Sequence, residues 1–167
     1  MPFKGLKSSR CNKLMVNQRS LDTVYLKMAD DLSTLSSAER RKVGCLIVKD
    51  TQIISEGYNG TPRGFDNTCE YIDHLDEMYT KPEVLHAESN AITKLARSTN
   101  SSEGATLYAT CSPCFDCAKL IIQSGITRVV YKHLYTNRKC MEALALLSQA
   151  NISVTQIKEI KEIQEIA

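Results

Sequence analysis

Six consecutive residues, Val43-Gly44-Cys45-Leu46-Ile47-Val48, carry no polar side chain, between the basic group Arg40-Arg41-Lys42 and the polar group Lys49-Asp50-Thr51. This is the pattern of a strand buried on both faces, because neither of its alternating side-chain rows meets water. Lys49-Asp50-Thr51 supplies a turn, and residues 52–58 return as a second strand, predicting a hairpin. A chain built on such a strand needs a layer above it and a layer below it.

The rest of the sequence offers those layers. Ser20 reads as the N-cap of a helix whose apolar residues Leu21, Val24, Tyr25, Met28, Leu32 and Leu35 follow helical spacing. A second helix is predicted over 85–97, with Ala87, Ala91, Ile92 and Leu95 along one stripe. A strand follows at 105–110, then a helix at 113–124 stopped by Gly125. A strand at 127–131, a helix at 138–149 and a last strand at 152–155 complete the order. Alternation of this kind predicts an α/β, three-layer α-β-α architecture around a central mixed five-stranded sheet. The domain is expected over 20–156, after an irregular basic segment 1–19. Residues 65–84 show no clear period and are expected to be a loop insertion containing Cys69 and His74. In the tail, 157–167, isoleucine recurs every three residues and so drifts around a helix of 3.6 residues per turn.

Composition limits the function. At 167 residues the chain is of single-domain length, and its net charge of +2 includes no long basic run. Trp is absent and Phe occurs three times. A small ligand is therefore expected rather than a nucleic-acid strand, which needs a basic track or stacking aromatics. No apolar stretch approaches the ~20 residues of a membrane helix, and the first residues lack a signal peptide's apolar region, so a cytoplasmic location is expected. Seven cysteines, an odd number, point there to thiols or metal ligands rather than to a disulfide framework.

Two motifs carry the chemistry. In Ser112-Pro113-Cys114-Phe115-Asp116-Cys117, Ser112 is the expected N-cap and Pro113 the first helical residue, which places Cys114 in the first turn and Cys117 one turn later on the same face. The positive end of the helix dipole favours thiolates there. In His86-Ala87-Glu88 the imidazole and carboxylate are two apart and can converge only where a helix begins. Two helix N-termini then face each other, with His86, Cys114 and Cys117 as zinc ligands and Glu88 as a carboxylate outside the ligand set. One imidazole and two thiolates leave zinc an open position, which suits the activation of water, with Glu88 as proton carrier. The alternative is a closed structural site with Cys111 as fourth ligand and Glu88 on the surface.

With these residues the chain resembles the zinc-dependent cytidine deaminase superfamily, whose H-x-E and P-C-x-x-C signatures match residues 86–88 and 113–117. Within it the loop Gly57-Tyr58-Asn59-Gly60-Thr61-Pro62-Arg63-Gly64 is similar to that of the dCMP deaminase subfamily. The resemblance implies hydrolysis of dCMP to dUMP and ammonia on one catalytic Zn2+, held by His86, Cys114 and Cys117, with Glu88 moving protons. It also implies that Asn59 touches the sugar and that the backbone of Ala87 reads the cytosine edge. It further implies a homohexamer activated by dCTP and inhibited by dTTP with Mg2+, through Asn59, Gly60, Arg63, Gly64 and Arg97. Some members hold a second zinc. Here Ala38 and Glu39 supply no thiol, and Cys69 and His74 are expected to be ordinary loop residues. Cys111 stands where the subfamily has leucine and is expected in an apolar slot. The alternatives are a tRNA adenosine deaminase or another nucleoside or base deaminase of the same superfamily, and, outside enzymes, a zinc-stabilised scaffold.

Overall fold

In a computed structural model residues 17–158 are described, and the expected N-terminal segment and C-terminal tail fall mostly outside them. The expected five-stranded sheet is present. β1 (Gly44–Lys49) and β2 (Gln52–Tyr58) form the predicted hairpin, and β5 (Thr106–Cys111), β6 (Arg128–His133) and β7 (Ser153–Gln156) extend the sheet in the order β2-β1-β5-β6-β7. The sheet is mixed. β1 runs antiparallel to both β2 and β5, while β5, β6 and β7 are parallel.

Side-chain alternation explains the unbroken apolar run. Cys45 and Ile47 join Leu107, Ala109 and Val129 on one face, against α2 (Ala87–Leu95), α3 (Phe115–Gln123) and α4 (Arg138–Gln149). Leu46 and Val48 join Tyr108 and Val130 on the other, under Tyr25, Leu26 and Ala29 of α1 (Gln18–Ser33). The result is an α/β fold of three layers, with one helix on one face and three on the other among the described residues. Two glycines let helices approach the sheet closely. A Cβ on Gly44 would fall against the Ala29 carbonyl, and one on Gly57 against the Ala87 carbonyl and 2.6 Å from the Ala91 nitrogen. The second approach seats the start of α2 over β2.

Three expectations are corrected. α1 begins two residues before Ser20, because Asn17 is its cap: the Asn17 side-chain oxygen accepts from the Arg19 N–H. The cap of α3 is Cys114 rather than Ser112. The Cys114 sulfur accepts from the Cys117 N–H, while the Ser112 hydroxyl is engaged elsewhere, accepting from the Tyr135 N–H at 2.9 Å. Residues 65–84 are not a featureless loop. They hold a two-stranded sheet, β3 (Glu70–Ile72) and β4 (Met78–Thr80), with Glu70 opposite Thr80. Its turn is closed by Asp73, whose carboxylate accepts from the N–H groups of Leu75 and Glu77. Strands of three residues are too short to show a period.

Candidate metal centre and catalytic pocket

The parallel strand order places the starts of α2 and α3 side by side at one end of the sheet. His86 is the N-cap of α2, in extended conformation (φ −73°, ψ 157°). That kink brings His86 and Glu88 to one place although they are only two residues apart, which mid-helix geometry would forbid. Across from them, Cys114 caps α3 and Cys117 lies in its first turn. His86 Nδ1 is 3.2 Å from Cys114 Sγ and 3.5 Å from Cys117 Sγ, and the three ligand atoms lie within 4.8 Å of one another. Tetrahedral zinc with N and S ligands at ordinary bond lengths holds those atoms about 3.5 Å apart. Donor set and spacing both fit a zinc ion. Cys111 is outside this cluster, so among the described residues three candidate ligands rather than four converge.

The three donors share their protons. Hydrogen bonding to Cys117 and to His86 lowers the Cys114 thiol to about 4, against the opposing effect of burial. The same sharing, with burial and the nearby Glu88 charge, pushes the Cys117 thiol well up. His86 rises to about 9 through its hydrogen bond to Cys114, against burial and with help from Glu88. A dication would take the place of the shared protons, because metal binds the thiolate and neutral imidazole forms.

Glu88 is 4% exposed, which excludes the surface role required by a closed structural site. Burial raises its carboxyl above the usual glutamate value, and Cys117 Sγ donates toward its Oε2 at 3.7 Å. The group lines a cavity of about 340 Å³, together with His86, Ala87, Asn59 and Cys114. Ala87, which lines this cavity, is the first residue of α2, a position whose N–H has no partner within the helix. Asn59 is already committed. Its side-chain oxygen accepts from the Val43 N–H and its amide donates to the Arg41 carbonyl, both at 2.8 Å, leaving one N–H for a ligand.

The other expected residues lie apart from the cavity. Gly60 pairs with Leu85 just ahead of α2, while Arg63 and Gly64 are exposed on the loop beyond it. Arg97 follows the opposite end of α2 and is also exposed, so within one chain it does not join that loop. Cys69 is buried against the Ser37 hydroxyl at 3.3 Å, while His74 is exposed on the hairpin turn; neither belongs to a metal-binding group among the described residues. Cys111 does not fill an apolar slot. It lines the cavity and accepts from the Arg41 guanidinium at 3.5 Å.

Sequence reasoning missed one wall of this cavity. Arg40 and Arg41, Glu70 and Thr80 of the small hairpin, and Tyr135 and Asn137 beyond β6 all line it. The Arg41 guanidinium lies 4.2 Å over the Tyr135 ring. The paired arginines directly before β1 were the available signal, since cationic forks next to a buried strand end suit an anionic ligand.

Residues 19–133 match the family model for the cytidine and deoxycytidylate deaminase zinc-binding region. The deoxycytidylate deaminase of Saccharomyces cerevisiae is 35% identical over 148 residues, covering 86% of this chain but 46% of the yeast protein. That of Enterobacteria phage T4 is 37% identical over 154 residues, covering 70% of this chain and 80% of the phage protein. The chain thus spans about half the length of the yeast relative and most of the phage one. Among solved structures, the dCMP deaminase of cyanophage S-TIM5, in complex with dCMP and dUMP, superposes with a TM-score of 0.76 at 37% identity, covering 85% of this chain and all of that one.

Proposed function

The chain belongs to the zinc-binding family of cytidine and deoxycytidylate deaminases, and from that premise we propose that it hydrolyses dCMP to dUMP and ammonia. The observation that carries the proposal is a buried carboxylate, Glu88, set beside a His-Cys-Cys donor cluster in a cavity whose rim bears two arginines. His86, Cys114 and Cys117 would hold the zinc, which when bound would supply a Lewis acid able to activate water near neutral pH. Glu88 takes a proton from the attacking water and gives it to N3 of cytosine. It then takes the proton of the hydroxyl formed on C4 and delivers it to the amino group, which leaves as ammonia while C4 becomes a carbonyl. The Ala87 N–H donates to the acceptor edge of the base, and the remaining Asn59 N–H to a sugar hydroxyl. Arg40 and Arg41 present guanidinium forks to the 5′-phosphate, which favours a nucleotide over a nucleoside or free base. A zinc-held scaffold has no use for a buried carboxylate beside its ligands.

The domain assigned to this reaction is 20–156, and the reading includes a cytoplasmic enzyme. Among the described residues no helix is long and apolar enough to cross a membrane. Regulation belongs to the same proposal: dCTP activates and dTTP with Mg2+ inhibits, through the loop of Asn59, Gly60, Arg63 and Gly64. Arg97 stands at the other end of α2 from that loop. Its part in a shared nucleotide site therefore requires a second copy, as a homohexamer provides. The test is loss of cytosine absorbance with dCMP, CMP, deoxycytidine and dCTP as substrates, with and without dCTP or dTTP as effector. Turnover of dCMP above all others is expected, and no turnover of any of them refutes the proposal.

A further inference from the structure

The small hairpin contributes a carboxylate to the cavity wall that the proposed chemistry leaves unused. Glu70, the first residue of β3, is 9% exposed. Its two oxygens accept from consecutive backbone amides, Oε2 from the Glu39 N–H at 3.2 Å and Oε1 from the Arg40 N–H at 3.3 Å. Farther along the same segment, the Asn59 side chain holds the Arg41 carbonyl and the Val43 N–H, both at 2.8 Å. The Ser36 hydroxyl in turn donates to the Asn59 carbonyl at 2.7 Å. The stretch 39–43 is thus held at both of its ends.

What that grip presents is the arginine pair. The Arg40 guanidinium donates to the Thr80 hydroxyl at 3.1 Å, and Thr80 is the residue opposite Glu70 in the hairpin. The Arg41 guanidinium is set between the Tyr135 ring and the Cys111 sulfur. Glu70 directs its oxygens at backbone amides, which leaves both guanidinium groups available to an anion. Arginine side chains are long, and holding their backbone in place lowers the entropy lost when they close on a phosphate.

We propose that Glu70 is a positioning residue for the nucleotide phosphate, acting through the backbone of Arg40 and Arg41, and that the hairpin of β3 and β4 is thereby part of the substrate site. This inference rests on the dCMP reading given above. It separates recognition of the phosphate, which the hairpin organises, from chemistry at the base, which α2 and α3 organise.

The test compares dCMP with deoxycytidine, which lacks the phosphate, on zinc-loaded full-length protein. Glu70→Ala should raise KM for dCMP roughly ten-fold, equivalent to about 1.4 kcal/mol of binding. It should leave kcat for dCMP within about two-fold and kcat/KM for deoxycytidine unchanged, because it weakens binding that ground and transition states share. Glu70→Gln keeps one acceptor oxygen and should fall between the two; it carries the test if the alanine variant does not fold. In a background of Arg40→Ala with Arg41→Ala, Glu70→Ala should have no further effect on the preference for dCMP over deoxycytidine. Equal losses on both substrates, an unchanged KM, or full additivity with the arginine substitutions would overturn the inference. A parent protein that does not deaminate dCMP at all would refute the proposed function, and this inference with it.

Discussion

Gly57→Ala puts one methyl group where α2 crosses β2. Its Cβ would lie 2.6 Å from the Ala91 nitrogen and closer still to the Ala87 carbonyl oxygen, whereas real Cβ contacts essentially never fall below 3.0 Å. The atoms in the way are helix backbone and cannot rotate aside. α2 must therefore withdraw by at least 0.4 Å at Ala91, and further at Ala87, the end that carries His86 and Glu88. Overpacking of this kind costs about 1–3 kcal/mol, which for a chain of this length lowers Tm by roughly 2–12 °C. The catalytic cost should be larger, because a shift of about 1 Å in a reacting group can reduce rate about 100-fold. A displacement of about half that predicts a fall in kcat on dCMP of about ten-fold, in protein that still unfolds cooperatively. Stopped-time absorbance assays beside calorimetry measure both quantities. Unchanged kcat and Tm would refute the view that α2 is seated by direct contact with β2.

The remaining predictions concern stability and regulation. Asp22, 3% exposed, takes both forks of Arg128 at 2.6–2.7 Å, the Tyr108 hydroxyl at 2.8 Å and the Gln18 amide at 2.9 Å. Burial alone would raise its carboxyl, but these donors, Arg128 foremost, hold it below the usual 3.8. The ionised pair thus stabilises the fold fully above about pH 4, and that contribution is lost as pH falls through the lower folded value. Asp22→Asn should cost about 3 kcal/mol at pH 7 and flatten the acid side of the urea-unfolding profile, so parallel profiles would contradict it. Arg63→Ala should leave the rate on dCMP without effectors intact and weaken the responses to dCTP and dTTP. Undiminished responses would remove Arg63 from the regulatory site.

Much of this structure was legible because the sequence signals were redundant. The run Val43–Val48 had to be doubly buried, and Cys45 and Ile47 do pack on one face with Leu46 and Val48 on the other. The motif His86-Ala87-Glu88 required a helix entrance, and His86 caps α2. What escaped was short or borrowed from afar. The hairpin of β3 and β4 is three residues per strand, and only the Asp73 turn hinted at it. Glu70 meets residues 39 and 40 across some thirty positions of sequence, and periodicity carries no information at that range. The cap of α3 went astray because serine is the stronger general cap, whereas here Ser112 serves Tyr135 and a cysteine sulfur takes its place.

The central claim is that Glu88 moves protons in dCMP hydrolysis beside a metal it does not bind. Its most direct test is Glu88→Gln, assayed for zinc content by elemental analysis and for dCMP turnover by the fall in cytosine absorbance. The account predicts full zinc occupancy with turnover reduced by about 100-fold or more, the contribution of a positioned acid–base group. Loss of zinc would make Glu88 a ligand, and turnover equal to that of the parent would mean that another group carries the proton.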